Sequence, residues 1–337
     1  MWLNSLSSCP NLRRFCILPP KIILIYTLPE SAKNRLAQFL KYKHPYTYLI
    51  TVINYNPKDW FVFIFRISRA DTFRRLLPLM LAVSVYSGGI AYVELNYLST
   101  EDSKYIRNFG MMHGVLGFVI SLLLVFRTNT AYDRWWEGRK VWGGLTNTSR
   151  NMAIKVNAMV MHEEDRRFFR LMIPNFAFAL KNMLRENENF EELDPILDLK
   201  RGRHLPNQIA SAIYSRVNAL HQNGALTTSQ MLALSADAHA LTDHTGACER
   251  IKNTPIPFTY SVFIKKFVFF YVMTLPFGWS FSLGYYIIPV VVLILYALAS
   301  LELIAEEIEN PFGTDDNDLP TDQICHNIRK HVSELLS

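Results

Sequence analysis

The stretch FGMMHGVLGFVISLLLVFRTNTAYDRWWEGR, residues 109–139, decides how the rest of the chain is read. Between Phe109 and Phe126 only His113 is able to carry a charge, and the segment is long enough to cross a bilayer with little to spare. From Arg127 onward it turns abruptly polar, with neither Gly nor Pro before Gly138. This pattern predicts one helix that starts in lipid and continues into water.

Within the apolar half, Phe118, Leu122 and Phe126 recur at i, i+4 and i+8, so they share one stripe of the helix. Such a stripe packs on neighbouring helices, or it forms a hydrophobic constriction when several copies surround an axis, a known way to gate ions. Gly110, Gly114 and Gly117 allow close helix approach and suit both arrangements.

Working outward, the composition fits a mixture of membrane spans and a sizeable aqueous part. Of 337 residues, 50% are hydrophobic and 19% charged, and the mean hydropathy is +0.08. The formal charge of +6 does not point to nucleic acid. Its basic residues crowd near the ends of apolar segments, at Arg66, Arg69, Arg74 and Arg75 and again at Arg127, Arg134, Arg139 and Lys140, as the positive-inside rule describes. Cys9, Cys16, Cys248 and Cys325 form no CxxC pair and read as free thiols in a reducing cytosol.

Residues 1–54 form a basic extension expected to be weakly ordered; the apolar run 17–28 is interrupted by Pro19, Pro20 and Lys21. A membrane region follows over 55–128. It opens with an aromatic interfacial segment, residues 60–67, and holds spans at about 76–95 and 109–126. Residues 129–255 are an aqueous helical domain, with apolar stripes at Ile209, Ile213, Val217 and Leu220 and at Met231, Leu234, Ala238 and Leu241. A second membrane region, 256–303, divides at Pro276, Gly278 and Gly284 into spans at about 256–277 and 285–303. Lys265 and Lys266 stand near the cytosolic end of its first helix, snorkelling or lining a wet vestibule. Residues 304–337 close the chain with an acidic loop. An even number of spans leaves both termini in the cytosol and the protein in the cell (inner) membrane.

Three blocks carry a family resemblance: GFVISLLLVFRTNTAYDRWWEGRKVWG, GACERIKNTPIPFTYS and ENPFGTDDNDLPTD. In this order and spacing, over residues 55–322, they resemble the bestrophin ion channels in their bacterial branch. The resemblance implies an all-α subunit with four transmembrane helices and a cytosolic helical domain. It also implies a homo-oligomeric ring, a pentamer, around a central pore in the lipid membrane. Phe118, Leu122 and Phe126 then form the pore neck. A second, cytosolic constriction falls near Ser229, counting back from Gly246, where a serine departs from the family's usual apolar residue. The implied function is passive conduction of chloride or other monovalent ions.

Arg127, Asp133, Arg134, Glu137 and Arg139 suit an intrahelical ladder in which Arg134 meets Glu137. Glu302, Glu306, Glu307 and Glu309 would line the inner end of the last span and bear on the sign of the ion. Asp315 and Asp318 occupy the carboxylate positions of the calcium loop of animal bestrophins, whereas Thr314 and Asn317 replace acidic residues common there. Calcium is thus compatible but not required, and no other cofactor is called for. Asp237, His239, Asp243 and His244 read as a polar helix face rather than a metal site. No nucleophile–base pair, P-loop or GxGxxG supports the alternative of a membrane-embedded enzyme, and no inverted repeat supports a secondary transporter.

Overall fold

The computed structural model describes residues 72–97 and 103–337, except 188 and 196–198; for 103–107 it describes the backbone alone. The N-terminal extension 1–54, the aromatic segment 60–67 and positions 98–102 of the first loop lie outside the described residues.

Among the described residues the structure is entirely helical. In chain order the helices are α1 (Thr72–Tyr97), α2 (Ser103–Met159), α3 (Glu163–Leu184), α4 (Leu205–Gln222), α5 (Thr228–Asn253), α6 (Phe258–Thr274), α7 (Pro276–Leu283), α8 (Ile287–Glu309) and α9 (Thr321–Leu335). A 3₁₀ turn, Gly284–Tyr286, joins α7 to α8. Among the described residues, three helical stretches are long and apolar enough to cross a membrane: Thr72–Tyr97, Asn108–Met159, and Phe258–Glu309, the last comprising α6 to α8.

Helix α1 starts four residues before the expected span. Arg74 and Arg75, which precede the expected span, therefore lie in the first turn of the helix, and Pro78 lies in its second. Helix α2 is unbroken for 57 residues, about 85 Å at 1.5 Å per residue. It serves two separate cores. Ile120 and Leu124 pack with Leu76 and Val83 of α1, Val268 and Val272 of α6, and Leu295 of α8. Further along, Trp142, Leu145, Met152 and Val156 pack with α3, α4, α5 and α9.

The second core is built on the two expected stripes. Ile209, Ile213, Val217 and Leu220 of α4, and Leu234, Ala238 and Leu241 of α5, are buried, with Met231 packed at the edge. Thr227 and Gln230 close a capping box at the start of α5, satisfying two otherwise orphaned donors. Helix α3 begins with Glu163, Glu164 and Asp165 at its positive end and places Lys181 in its last turn. Lys181 is buried and binds Glu192 at 2.7 Å and Asp322 at 2.8 Å, fastening α3 to α9. Burial alone would raise the Asp322 carboxyl, but hydrogen bonds from Lys181 and Arg185 outweigh it and hold it below the usual range.

The stretch 256–277, expected as one span, is interrupted. Helix α6 ends at Thr274, Pro276 supplies no N–H, and Gly278 adopts φ +77°, open to glycine but strained for other residues. The freed N–H of Gly278 donates to both carboxylate oxygens of Glu94, at 3.1 and 3.3 Å, which accounts for a buried acid near the end of α1.

Candidate functional site

The stripe on α2 faces outward. Phe118, Leu122 and Phe126 are 70%, 44% and 54% exposed, whereas Ile120 and Leu124 are each 1% exposed. Two residues along a helix turn the side chain by about 200° at 3.6 residues per turn, so the packed face and the stripe are opposite sides of one rod. The stripe therefore does not serve packing within its own chain. Behind it the contact is tight: a Cβ on Gly117 would lie 2.7 Å from the Tyr271 hydroxyl of α6. Gly110 faces Trp279, while Gly114 has open space around it. Below Phe126 the same side of α2 continues through exposed Asn129, Asp133, Trp136 and Lys140.

A collar of ion pairs surrounds the point where α2 turns polar. Arg127, buried, donates to Glu309 at 2.7 Å, and its Nε lies 3.5 Å from Glu302. Glu307 pairs with Arg75 of α1 and accepts from Asn317 at 2.7 Å. Glu306 pairs with Lys265 of α6 at 2.9 Å. The four glutamates at the end of α8, expected to line the inner end of the last span, thus each stand beside a basic side chain. Lys265 owes its place near the membrane to that pairing, while Lys266 is exposed.

The expected Arg134–Glu137 ladder is not formed. Arg134 donates instead to the carbonyls of Glu309 (3.1 Å), Ile251 (2.6 Å) and Thr254, tying α2 to the ends of α5 and α8. Glu137 is taken by Arg250 of α5 at 2.6 Å. Three carbonyls at helix ends, each lacking an intrahelical donor, outcompete one exposed carboxylate.

Ser229 lies in the first turn of α5 and is exposed. One turn further, Leu232 is also exposed, an apolar side chain outside the α5 stripe. Sequence reading missed Leu232; its signal was an apolar residue between two stripe positions, Met231 and Leu234, that it could not join.

Asp315 and Asp318 are brought together in the turn after α8. Asp318 Oδ2 accepts from the Asp315 N–H at 2.6 Å, and the Asp318 N–H donates to the Asp315 carbonyl at 3.0 Å. Gly313 backs this carboxylate so closely that a Cβ there would lie 2.7 Å from Oδ2. Asp318 Oδ1 is buried and has no hydrogen-bond partner among the described residues. The turn thus closes on itself and still leaves one acceptor free for a cation. Two carboxylates are few for calcium, which takes about six to eight oxygens, so backbone and water oxygens would have to complete the shell.

Among the described residues no group of three or more His, Cys, Asp or Glu is placed to hold a metal. Asp237 pairs with Lys155 at 2.9 Å, and His239 stands 3.7 Å from Asp243. His244 shares a hydrogen bond with Thr148 at 3.0 Å.

Comparison with known proteins agrees with this architecture. Residues 52–334 match the family model described as bacterial/fungal bestrophin protein. A voltage-dependent anion channel-forming protein of Nostoc sp. is 37% identical over 230 residues, covering 65% of this chain and 75% of that one. A voltage-dependent anion channel-forming protein of Ralstonia nicotianae is 30% identical over 277 residues, 80% of this chain and 89% of that one. The crystal structure of a bacterial bestrophin homologue from Klebsiella pneumoniae superposes with a TM-score of 0.68 at 25% identity, covering 77% of this chain and 98% of that chain. A substituted variant of a Klebsiella pneumoniae homologue gives 0.70 at the same identity, covering 78% and 99%. The resemblance read from three sequence blocks thus holds across the helical fold, and the chain belongs to the bacterial and fungal bestrophin family.

Proposed function

We propose that the protein is the subunit of a bestrophin-type channel that conducts anions passively, with Phe118, Leu122 and Phe126 as the neck of its pore. The observation that carries this is the outward apolar stripe on a helix whose opposite face is fully packed. A stripe on one subunit cannot enclose a pore by itself, so enclosing one takes several copies around an axis. Five copies, each with four membrane-crossing helices (α1, α2, α6 and α8) and both termini in the cytosol, follow from the family. In that ring each stripe residue becomes a girdle. Narrow apolar girdles disfavour water and oppose any ion that must shed its hydration there.

The sign of the ion follows from the collar. With Glu302, Glu306, Glu307 and Glu309 each beside a basic residue, the inner end of α8 offers no free acidic ring to attract cations. Exposed aromatic edges at Phe118 and Phe126 carry positive potential and favour anions. The names of the Nostoc and Ralstonia relatives point the same way. The cytosolic constriction placed near Ser229 is better supplied by Leu232, which is exposed and apolar on the same helix. Calcium is proposed as a ligand of Asp315 and Asp318 that modulates the channel without being needed for conduction; Asp318 Oδ1 supports it.

Purified protein in planar bilayers tests this function. Discrete conductance steps are expected, with a reversal potential that follows the chloride gradient in asymmetric salt. A reversal potential that follows the cation gradient would overturn the anion assignment, and a smooth saturating flux without steps would favour a carrier.

A further inference from the structure

Between α1, α6 and α8, away from the stripe, lies an apolar groove of about 340 Å³. Val83 of α1, Val268 and Val272 of α6, and Leu295 and Ala299 of α8 are among the residues that line it, and none comes from α2. Its volume falls within the range of small-ligand pockets. Its charged lining is confined to three side chains, Lys265, Glu302 and Glu306.

Glu302 is the unusual member. It is 5% exposed, and neither carboxylate oxygen has a hydrogen-bond partner among the described residues. Arg127 is its nearest counter-charge: Nε lies 3.5 Å from Oε2 and, like Nη1, has no hydrogen-bond partner among the described residues, while Nη2 is engaged by Glu309 at 2.7 Å. A buried acceptor bordering an apolar slot lacks a donor, and the slot is open to one. Nearer the surface, half-exposed Lys265 and Glu306 pair at 2.9 Å, which adds an ammonium to the mouth.

We propose that this groove binds a membrane aminophospholipid, one acyl chain filling the slot while its primary ammonium donates to Glu302 and its phosphate faces Lys265. Charge complementarity selects this occupant. An anionic glycerol headgroup brings no cation to Glu302, and a choline headgroup brings a cation without an N–H to donate. A primary ammonium beside a phosphate matches both the carboxylate and the lysine.

Native mass spectrometry of the purified oligomer, exchanged into mixtures of phosphatidylethanolamine, phosphatidylcholine and phosphatidylglycerol, tests the site without reference to conduction. Phosphatidylethanolamine is expected to be retained about tenfold more strongly than the other two, the effect of one hydrogen bond to a charged group. Glu302→Gln should remove that preference. Because Glu302 also neighbours Arg127, Ala299→Phe is a second variant, filling the slot without altering charge; it should lower retention while the oligomer's mass stays intact. Equal retention of all three lipids, a preference for phosphatidylglycerol, or full retention of phosphatidylethanolamine by Ala299→Phe would overturn the proposal.

Discussion

Arg127 Nη2 donates to Glu309 Oε2 across 2.7 Å, joining the helix of the exposed stripe to the last turn of α8. The same carboxylate accepts the Ile256 N–H at 2.9 Å, ahead of α6. Three segments of chain thus meet on one side chain. Removing one partner of a buried ion pair costs about 3–5 kcal/mol, because the other charge stays behind uncompensated. Glu309→Ala is expected to lower the thermal midpoint of the detergent-solubilised protein strongly. Arg127→Met combined with Glu302→Gln and Glu309→Gln, which leaves no buried charge behind, should recover part of the loss. An unchanged midpoint in Glu309→Ala would remove the collar from the account of stability.

Truncating the middle of the stripe separates a pore lining from a packed core. Leu122→Ala is expected to raise single-channel current or open probability, since a wider girdle admits water, and to leave assembly intact. Buried in a core, the same change would cost about 2–5 kcal/mol and impair assembly. Intact oligomers carrying less current than the unmodified channel would contradict the neck.

The turn after α8 gives a calcium test. In millimolar calcium at pH 7.5 the thermal midpoint should rise by mass action, and Asp315→Ala with Asp318→Ala should abolish the rise. If the unmodified protein shows no calcium-dependent shift, the two aspartates serve the turn alone.

The same turn responds to pH. Burial pushes the Asp318 carboxyl from 3.8 to about 6; the hydrogen bond from the Asp315 N–H and the Arg185 charge oppose the rise, and the Asp315 and Glu307 charges add to it. With a native pKa above the unfolded one, the native chain binds more protons between those two values. Its contribution to stability is therefore complete below the unfolded pKa and is lost as pH rises through about 6. Asp318→Asn should flatten the midpoint-versus-pH curve across that window, and equal slopes in both proteins would discount the group. Calcium needs the ionised carboxyl, so its stabilisation should fade as pH drops below about 6.

Periodicity made the helical parts legible. Ile209, Ile213, Val217 and Leu220 repeat at helical spacing because one face is buried, and the structure buries that face. Pro276 and Gly278 marked the break in the last apolar region through their own backbone chemistry, although its exact ends depended on packing. The second half of α3 was harder to read, because it is covered almost all round and shows no alternation of faces. Ion pairing was the least legible. Arg134 had a partner at helical spacing in Glu137, yet its contacts lie more than a hundred residues away, on carbonyls that sequence does not mark as acceptors. The partners of the four α8 glutamates were hidden for the same reason: Arg75, Arg127 and Lys265 reach them only once α1, α2 and α6 are packed.

Helix α2 runs without a proline from the level of the stripe to Met159. Arg127 clamps it to α8 near the boundary between its two cores. A rigid rod held at an intermediate point is a lever with a fulcrum. From Arg127 to Met159 the long arm measures about 48 Å, and from Arg127 back to Leu122 the short arm is about 7 Å. A tilt of about 5° would sweep the far end by about 4 Å while moving Leu122 by less than about 1 Å, so large excursions in the aqueous domain reach the stripe geared down to fractions of an ångström.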